Sequence, residues 1–210
     1  MVEIRKVTGG DEKNLAYIQT ESWKAAFRSI LPPEMLDRCT DFSKAEAMYR
    51  KLLEEKKGNG YILEINHRPH CIAWWDAARE EAMAGYAELI CIHSLPENWH
   101  CGYGSKMMDA VLADVVKAGY TKILLWVFEQ NAPAIAFYKK HGFAASGRKQ
   151  PAFGAVEEMY VRMLQLRPMI SGIPNGKEEC LHPSGRGIFS WKRSFIFRHT
   201  AAETPFCPFH

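Results

Sequence analysis

Apolar positions change period several times before residue 166, and each change marks an element. "VEIRKV" alternates like a short strand, and after the turn at Gly9 and Gly10 the cap candidate Asp11 leads into "EKNLAYIQTESWKAAFRSIL", which reads as helix. "LPPEMLDRCTDF" is a break. Ser43 and Glu46 then form a capping box for a second helix with Tyr49, Leu52 and Leu53 on one face, running to about Lys56. "GNGYILEI", the turn "NHRPH", "CIAWW" and "AGYAELICIHS" predict three consecutive antiparallel strands. From Gly102 a helical spacing returns at Met107, Met108, Val111, Leu112 and Val115 and stops near Gly119. "TKILLWVF" is a buried strand, "NAPAIAFYKKHG" a short helix closed by Gly142, and "EEMYVRML" a last strand. No internal repeat is present. The pattern is that of an α/β domain over 1–166.

Beyond Leu166 neither period persists, and Pro, Gly and aromatic residues are frequent. Residues 167–210 therefore read as an irregular, partly disordered C-terminal extension. Cys180, His182, His199, Cys207 and His210 within it fit no zinc-ligand spacing, so no metal is expected.

Composition limits the rest. With 210 residues, 47% hydrophobic and 24% charged, the chain can build one well-packed core but not two. A formal charge of +3 is too small and dispersed for a nucleic-acid footprint, yet it would not repel an anionic ligand. No run of eighteen uncharged apolar residues and no apolar leader occur, so no membrane partner is expected and the location expected is cytoplasmic. Six cysteines without framework spacing suit that compartment as reduced thiols. A homodimer is left open.

The candidate chemistry begins at "PENWHCGYGSKMM". Strand, Gly-x-Gly turn and helix aim unpaired N–H groups and the positive end of a helix dipole at one point, which suits phosphate. The dinucleotide fingerprint fails because position 107 is Met, and the Walker pattern fails because Gly102 and Gly104 run directly into Ser105-Lys106. Alone, Gly-x-Gly is equally an ordinary helix start.

Taken together, "PENWHCGYGSKMMDAVL" and "ILLWVFEQNAPAIAFYKKHGF" resemble the GNAT superfamily of acyl-CoA-dependent N-acyltransferases. There an Arg/Gln-x-x-Gly-x-Gly/Ala loop cradles the CoA pyrophosphate, and an Asn-x-x-Ala-x-x-Phe-Tyr-x-x-x-Gly-Phe segment follows. The second is met here at Asn131, Ala134, Phe137, Tyr138, Gly142 and Phe143. The likeness covers roughly residues 3 to 165 and implies a GNAT fold: a mixed, mostly antiparallel central sheet flanked by helices. It also implies acetyl-CoA as co-substrate, used to acetylate a primary amine of a small molecule or peptide by direct attack in a ternary complex. The sequence departs at Trp99, where the family has Arg or Gln, and at His100 and a partly buried Cys101. That departure motivates the alternative of a non-catalytic acyl-CoA-binding module.

Acyl transfer from a thioester needs an amine lone pair, a site for the oxyanion and a proton for the thiolate. Glu88, a carboxylate in an otherwise apolar strand, is the base candidate, with amine orientation or a structural ion pair as the other readings. The resemblance makes Tyr138 the acid, with a core aromatic as its plain reading. By the same resemblance the CoA contacts are Ile92, Ser94, Trp99, His100, Cys101, Gly102, Tyr103, Gly104, Ser105, Asn131 and Ala134. Trp23 and Phe27 line the acceptor site, and Ile92 and Ser94 pair with pantetheine where strands four and five splay apart.

Overall fold

The computed structural model describes residues 1–165, so the extension expected over 167–210 lies outside the described residues. Seven strands form one sheet: β1 (Val2–Lys6), β2 (Asn59–Ile65), β3 (Arg68–Ala77), β4 (Ala87–Ser94), β5 (Lys122–Phe128), β6 (Ala144–Ala152) and β7 (Ala155–Met163). Their order is β1-β2-β3-β4-β5-β7-β6, antiparallel throughout except for β4 with β5. Five helices accompany them: α1 (Glu12–Phe27), α2 (Pro33–Cys39), α3 (Phe42–Glu54), α4 (Tyr103–Lys117) and α5 (Ala132–Lys140).

Side chains alternate across a strand, and the neighbours Trp74 and Trp75 show the result. Trp75 packs with Leu63, Ala73 and Leu89 against Met107, Met108, Val111 and Val115 of α4. Trp74 faces the other way, with Ile62, Ile72 and Cys91, onto Leu15 and Ile18 of α1 and Tyr49 of α3. Full burial of one such Leu, Ile or Met side chain is worth about 1.5–3 kcal/mol, so the sheet is held from both sides.

Three sequence expectations need correction. The second predicted helix starts at Phe42, and its N-cap is Asp41, whose carboxylate accepts the Lys44 N–H at 3.0 Å; Ser43 lies inside the first turn. The break after α1 contains α2, which Pro33 can begin because a first-turn residue needs no N–H partner. Strand β6, "AASGRKQPA", was missed because it is mostly exposed and carries charges, Gly147 and Pro151, with a register shift between Ala145 and Lys149. Such an edge strand has no alternation to read.

Candidate functional site

Strands β4 and β5 are joined only at Ala87↔Ile123 and Glu88↔Leu124. Past that pair no ladder connects them, although β4 runs on to Ser94 and β5 to Phe128. On its other edge β4 remains paired, with Ile92 opposite Ala73 and Ser94 opposite Cys71. One extra residue, Ile90, is accommodated where Trp74 faces Cys91 and Trp75 faces Leu89. The sheet is thus open along one seam, flanked by β4 and β5.

At one end of the seam stands the glycine loop. Gly102 is the N-cap of α4 with φ +84°, a left-handed value that suits a residue without Cβ, and His100 is also left-handed at φ +65°. The Lys106 N–H bonds the Gly102 carbonyl at 3.1 Å, so the amides of Tyr103, Gly104 and Ser105 have no partner within the helix. Gly104 is under no such backbone constraint: an added Cβ would lie 3.4 Å from the Phe137 ring, an ordinary contact, which marks where the start of α4 meets α5. Trp99 is 40% exposed, and its indole N–H donates to the Ser94 carbonyl at 2.8 Å, tying the loop to the end of β4. Tyr103 meets the buried His70 edge-on at 5.3 Å, and the Ser94 hydroxyl lies 3.0 Å from His70 Nε2. Ser105 Oγ is 3.0 Å from His141 Nε2. Cys101 is exposed, not partly buried as expected.

Helix α5 follows β5 directly. Asn131 is its N-cap, and the side-chain oxygen accepts the Ala134 N–H at 3.3 Å, which fixes the start of the helix. Tyr138 is buried against Phe137 and Phe143. Burial pushes its phenol well above the ordinary value, and the nearby Cys91 thiol adds to the rise. The hydroxyl is therefore a neutral donor at any physiological pH.

The sheet face turned toward α1 and α2 carries the aromatic and acidic groups. Trp23 packs edge-on to Phe27 at 4.9 Å and to Phe153 at 5.8 Å, and Phe27 to Phe128 at 5.1 Å. The Trp23 indole N–H donates to His93 Nε2 at 3.2 Å, which puts the imidazole proton on Nδ1. Burial lowers the His93 pKa to about 4, so the ring is neutral above that. Glu88 is buried as anticipated, and it is also ion-paired. Its Oε2 accepts the Arg79 backbone N–H at 3.3 Å and Nε at 3.1 Å, while Oε1 is held by Arg79 Nη2.

Sequence reading passed over Arg79, His93 and Glu157. Glu157 on β7 is a buried carboxylate opposite Phe128, contacted by Gln150 Nε2 at 3.4 Å. Burial raises its pKa, Gln150 and Arg79 oppose the rise, and the charge of Glu88 adds to it. The alternation of "AVEEMYVRM" contained a signal, since Glu157 shares a face with the buried Met159. Among the described residues, one set of possible metal ligands, Glu3, Glu64 and His67, lies on β1, β2 and the turn after β2, where Glu64 is already bound to Arg5 at 2.8 Å. No helix among the described residues is long and apolar enough to cross a membrane.

Comparison with known proteins agrees with this arrangement. Residues 21–143 match the family described as "Acetyltransferase (GNAT) family". A Bacillus subtilis protein called uncharacterized N-acetyltransferase YuaI is 24% identical over 141 residues, covering 67% of this chain and 79% of its own. The spermidine N(1)-acetyltransferase of Thermoplasma acidophilum is 25% identical over 151 residues, covering 68% and 88%. Among solved structures, the PaiA N-acetyltransferase of the same organism, in complex with coenzyme A, superposes with a TM-score of 0.64 at 20% identity, over 78% of this chain and 99% of that one. The seam between β4 and β5, the loop at the start of α4 and the matched family together make this chain a member of the GNAT acetyltransferase family.

Proposed function

We propose that the protein transfers an acetyl group from acetyl-CoA to a primary amine by direct attack in a ternary complex. The observation that carries this reading is the seam: β4 and β5 part beyond Glu88↔Leu124, β4 leads on to the glycine loop at the start of α4, and β5 leads on to α5, which carries Tyr138. The amides of Tyr103, Gly104 and Ser105 suit the pyrophosphate, helped by the dipole of α4. The β4 edge at Ile92 and Ser94 is where the pantetheine arm would pair, and a β4 N–H would receive the carbonyl oxygen as charge develops on it. Trp99, His100 and Cys101 frame the loop, while Asn131 and Ala134 set the start of α5 beside the arm.

The Tyr138 hydroxyl donates to the departing sulfur, a role that fits a phenol kept neutral by burial. Two buried carboxylates, Glu88 and Glu157, stand on the face of Trp23 and Phe27, where the amine would enter, Glu88 already paired with Arg79. A relative named for spermidine makes polyamines the first acceptors to try.

The deciding experiment follows thiol release from acetyl-CoA with a panel of polyamines, aminoglycosides, amino acids and peptide N-termini. Amine-dependent release supports the reading. Tight binding of CoA with no release for any amine supports instead an acyl-CoA-binding module, which the unusual Trp99-His100-Cys101 sequence would then explain.

A further inference from the structure

Two buried carboxylates on the acceptor face are not equivalent. Regular pairing along β5 and β7 puts Phe128 opposite Glu157 and Trp126 opposite Met159, and β4 pairing puts Glu88 opposite Leu124. Leu124, Trp126 and Phe128 alternate onto one face, so Glu88 and Glu157 project from that same face, the one occupied by Trp23 and Phe27. Both oxygens of Glu88 are taken by Arg79, through the backbone N–H, Nε and Nη2. To accept a proton, Glu88 would have to give up charge-assisted bonds, which are the strong ones.

Glu157 is differently placed. Its one hydrogen bond among the described residues is a long contact from Gln150 to Oε2, at 3.4 Å. No buried side-chain oxygen among the described residues lacks a partner, so the remaining oxygen, Oε1, must reach accessible space. Glu157, a residue only 9% exposed, thus keeps one oxygen in contact with accessible space, and its side chain projects from the face of Phe128. The charged and titratable groups around it are Arg79 of the β3–β4 connection, which holds its proton affinity down, and Glu88 of β4, which raises it. From β6 comes the uncharged Gln150, and from β5 the apolar Phe128. Burial, the largest influence, raises its proton affinity. That direction suits a base working near neutrality.

We propose that Glu157, and not Glu88, receives the proton of the acceptor ammonium. This rests on the acetyltransferase reading above. One N–H proton of the ammonium passes to Glu157 Oε1, leaving a neutral amine and a carboxylic acid. The amine lone pair forms the C–N bond to the thioester carbon, and the C–S bond breaks with its electrons on sulfur. The Tyr138 hydroxyl protonates the thiolate, the second nitrogen proton leaves as the amide forms and passes by way of solvent to restore that hydroxyl, and Glu157 returns its own proton to solvent. Glu88 stays ion-paired with Arg79 and supplies negative field alone, as a positioning residue.

The test compares the parent, Glu157→Gln, Glu157→Asp and Glu88→Gln in single-turnover acetyl transfer from acetyl-CoA to spermidine, or to whichever panel amine the parent acetylates, across the pH range. Glu157→Gln should slow transfer by about 10²- to 10⁴-fold and remove the acidic limb of the pH profile, with CoA affinity by calorimetry unchanged. Glu157→Asp should restore the limb in part, and Glu88→Gln should keep it while raising KM for the amine. Should Glu157→Gln not fold, the Asp variant decides, by a limb displaced from that of the parent. An acidic limb that survives in Glu157→Gln, or vanishes in Glu88→Gln instead, overturns the assignment while the parent still transfers acetyl. A parent that acetylates no amine overturns the underlying reading along with it.

Discussion

Gly102 and Gly104 lie two residues apart and should respond to substitution for different reasons. At Gly102 nothing comes within 4 Å of an added Cβ, so Gly102→Ala meets no clash and feels only the left-handed backbone at φ +84°. For an L-residue that conformation costs about 1–2 kcal/mol. At Gly104 the added Cβ sits at ordinary contact distance from Phe137, 3.4 Å, with no backbone strain. There alanine gains about 0.8–1 kcal/mol of helix propensity, so Gly104→Ala should be neutral or slightly stabilising. Gly104→Val sends two methyls toward the Phe137 ring, and overpacking of that kind costs about 1–3 kcal/mol. In a chain of this size each kcal/mol moves Tm by roughly 2–4 °C. If the Gly102→Ala loop relieves its strain by leaving the left-handed region, the amides of Tyr103, Gly104 and Ser105 turn from their common direction, and CoA binding should weaken about 5- to 30-fold. Thermal unfolding with calorimetric CoA titration measures both effects. A Gly102→Ala protein with parental Tm and CoA affinity, or a Gly104→Ala protein less stable than Gly102→Ala, would refute the reasoning.

Further outcomes are open to measurement. Tyr138→Phe should leave Tm and CoA binding almost unchanged while lowering the single-turnover rate of acetyl transfer by about 10²-fold or more; an equal rate would make Tyr138 a core aromatic alone. Arg79→Ala strands a carboxylate whose side chain is 4% exposed, and breaking such a pair costs about 3–5 kcal/mol when fully buried, so the loss read by denaturant titration should lie toward the low end, Arg79 being 34% exposed; no loss would remove the ion pair from the stability argument. His93 has its folded pKa lowered to about 4 from 6.5, so its contribution is complete above 6.5 and is lost as pH falls toward 4, at about 1 kcal/mol per pH unit. His93→Gln should flatten that part of the stability profile, and an unchanged slope would show that another group governs it.

The sequence disclosed what hydrophobic periodicity and glycine placement control. The helix from Gly102, the strand "KILLWVF" and the short helix closed at Gly142 were legible because each has one buried face or a backbone stop. β6 was not legible, since an exposed edge strand gains little from alternation. The same limit governed the site. Glu88 stood out as an acid within an apolar run, but its partner Arg79 comes from the connection after β3, and nothing local in sequence announces a pairing made in space. Glu157 shares an alternating face with Met159, a signal blurred by the neighbouring Glu158, and its place on the same face as Glu88 became evident only once β7 was set between β5 and β6.

The seam between β4 and β5 makes the sheet a structure in two leaves, β1 to β4 and β5 with β7 and β6, hinged on two residue pairs. A ligand lying along the seam, as proposed for acetyl-CoA, would behave as a keystone. Because it would join both leaves only in the folded state, occupancy should stiffen the whole sheet as well as fill a site, by about 2.7 kcal/mol at a free concentration one hundred times its Kd. An empty seam leaves two strand edges without neighbours, a template on which another chain can pair. Cells that deplete the ligand would therefore lose protein as well as activity, and resistance to proteolysis should track ligand supply.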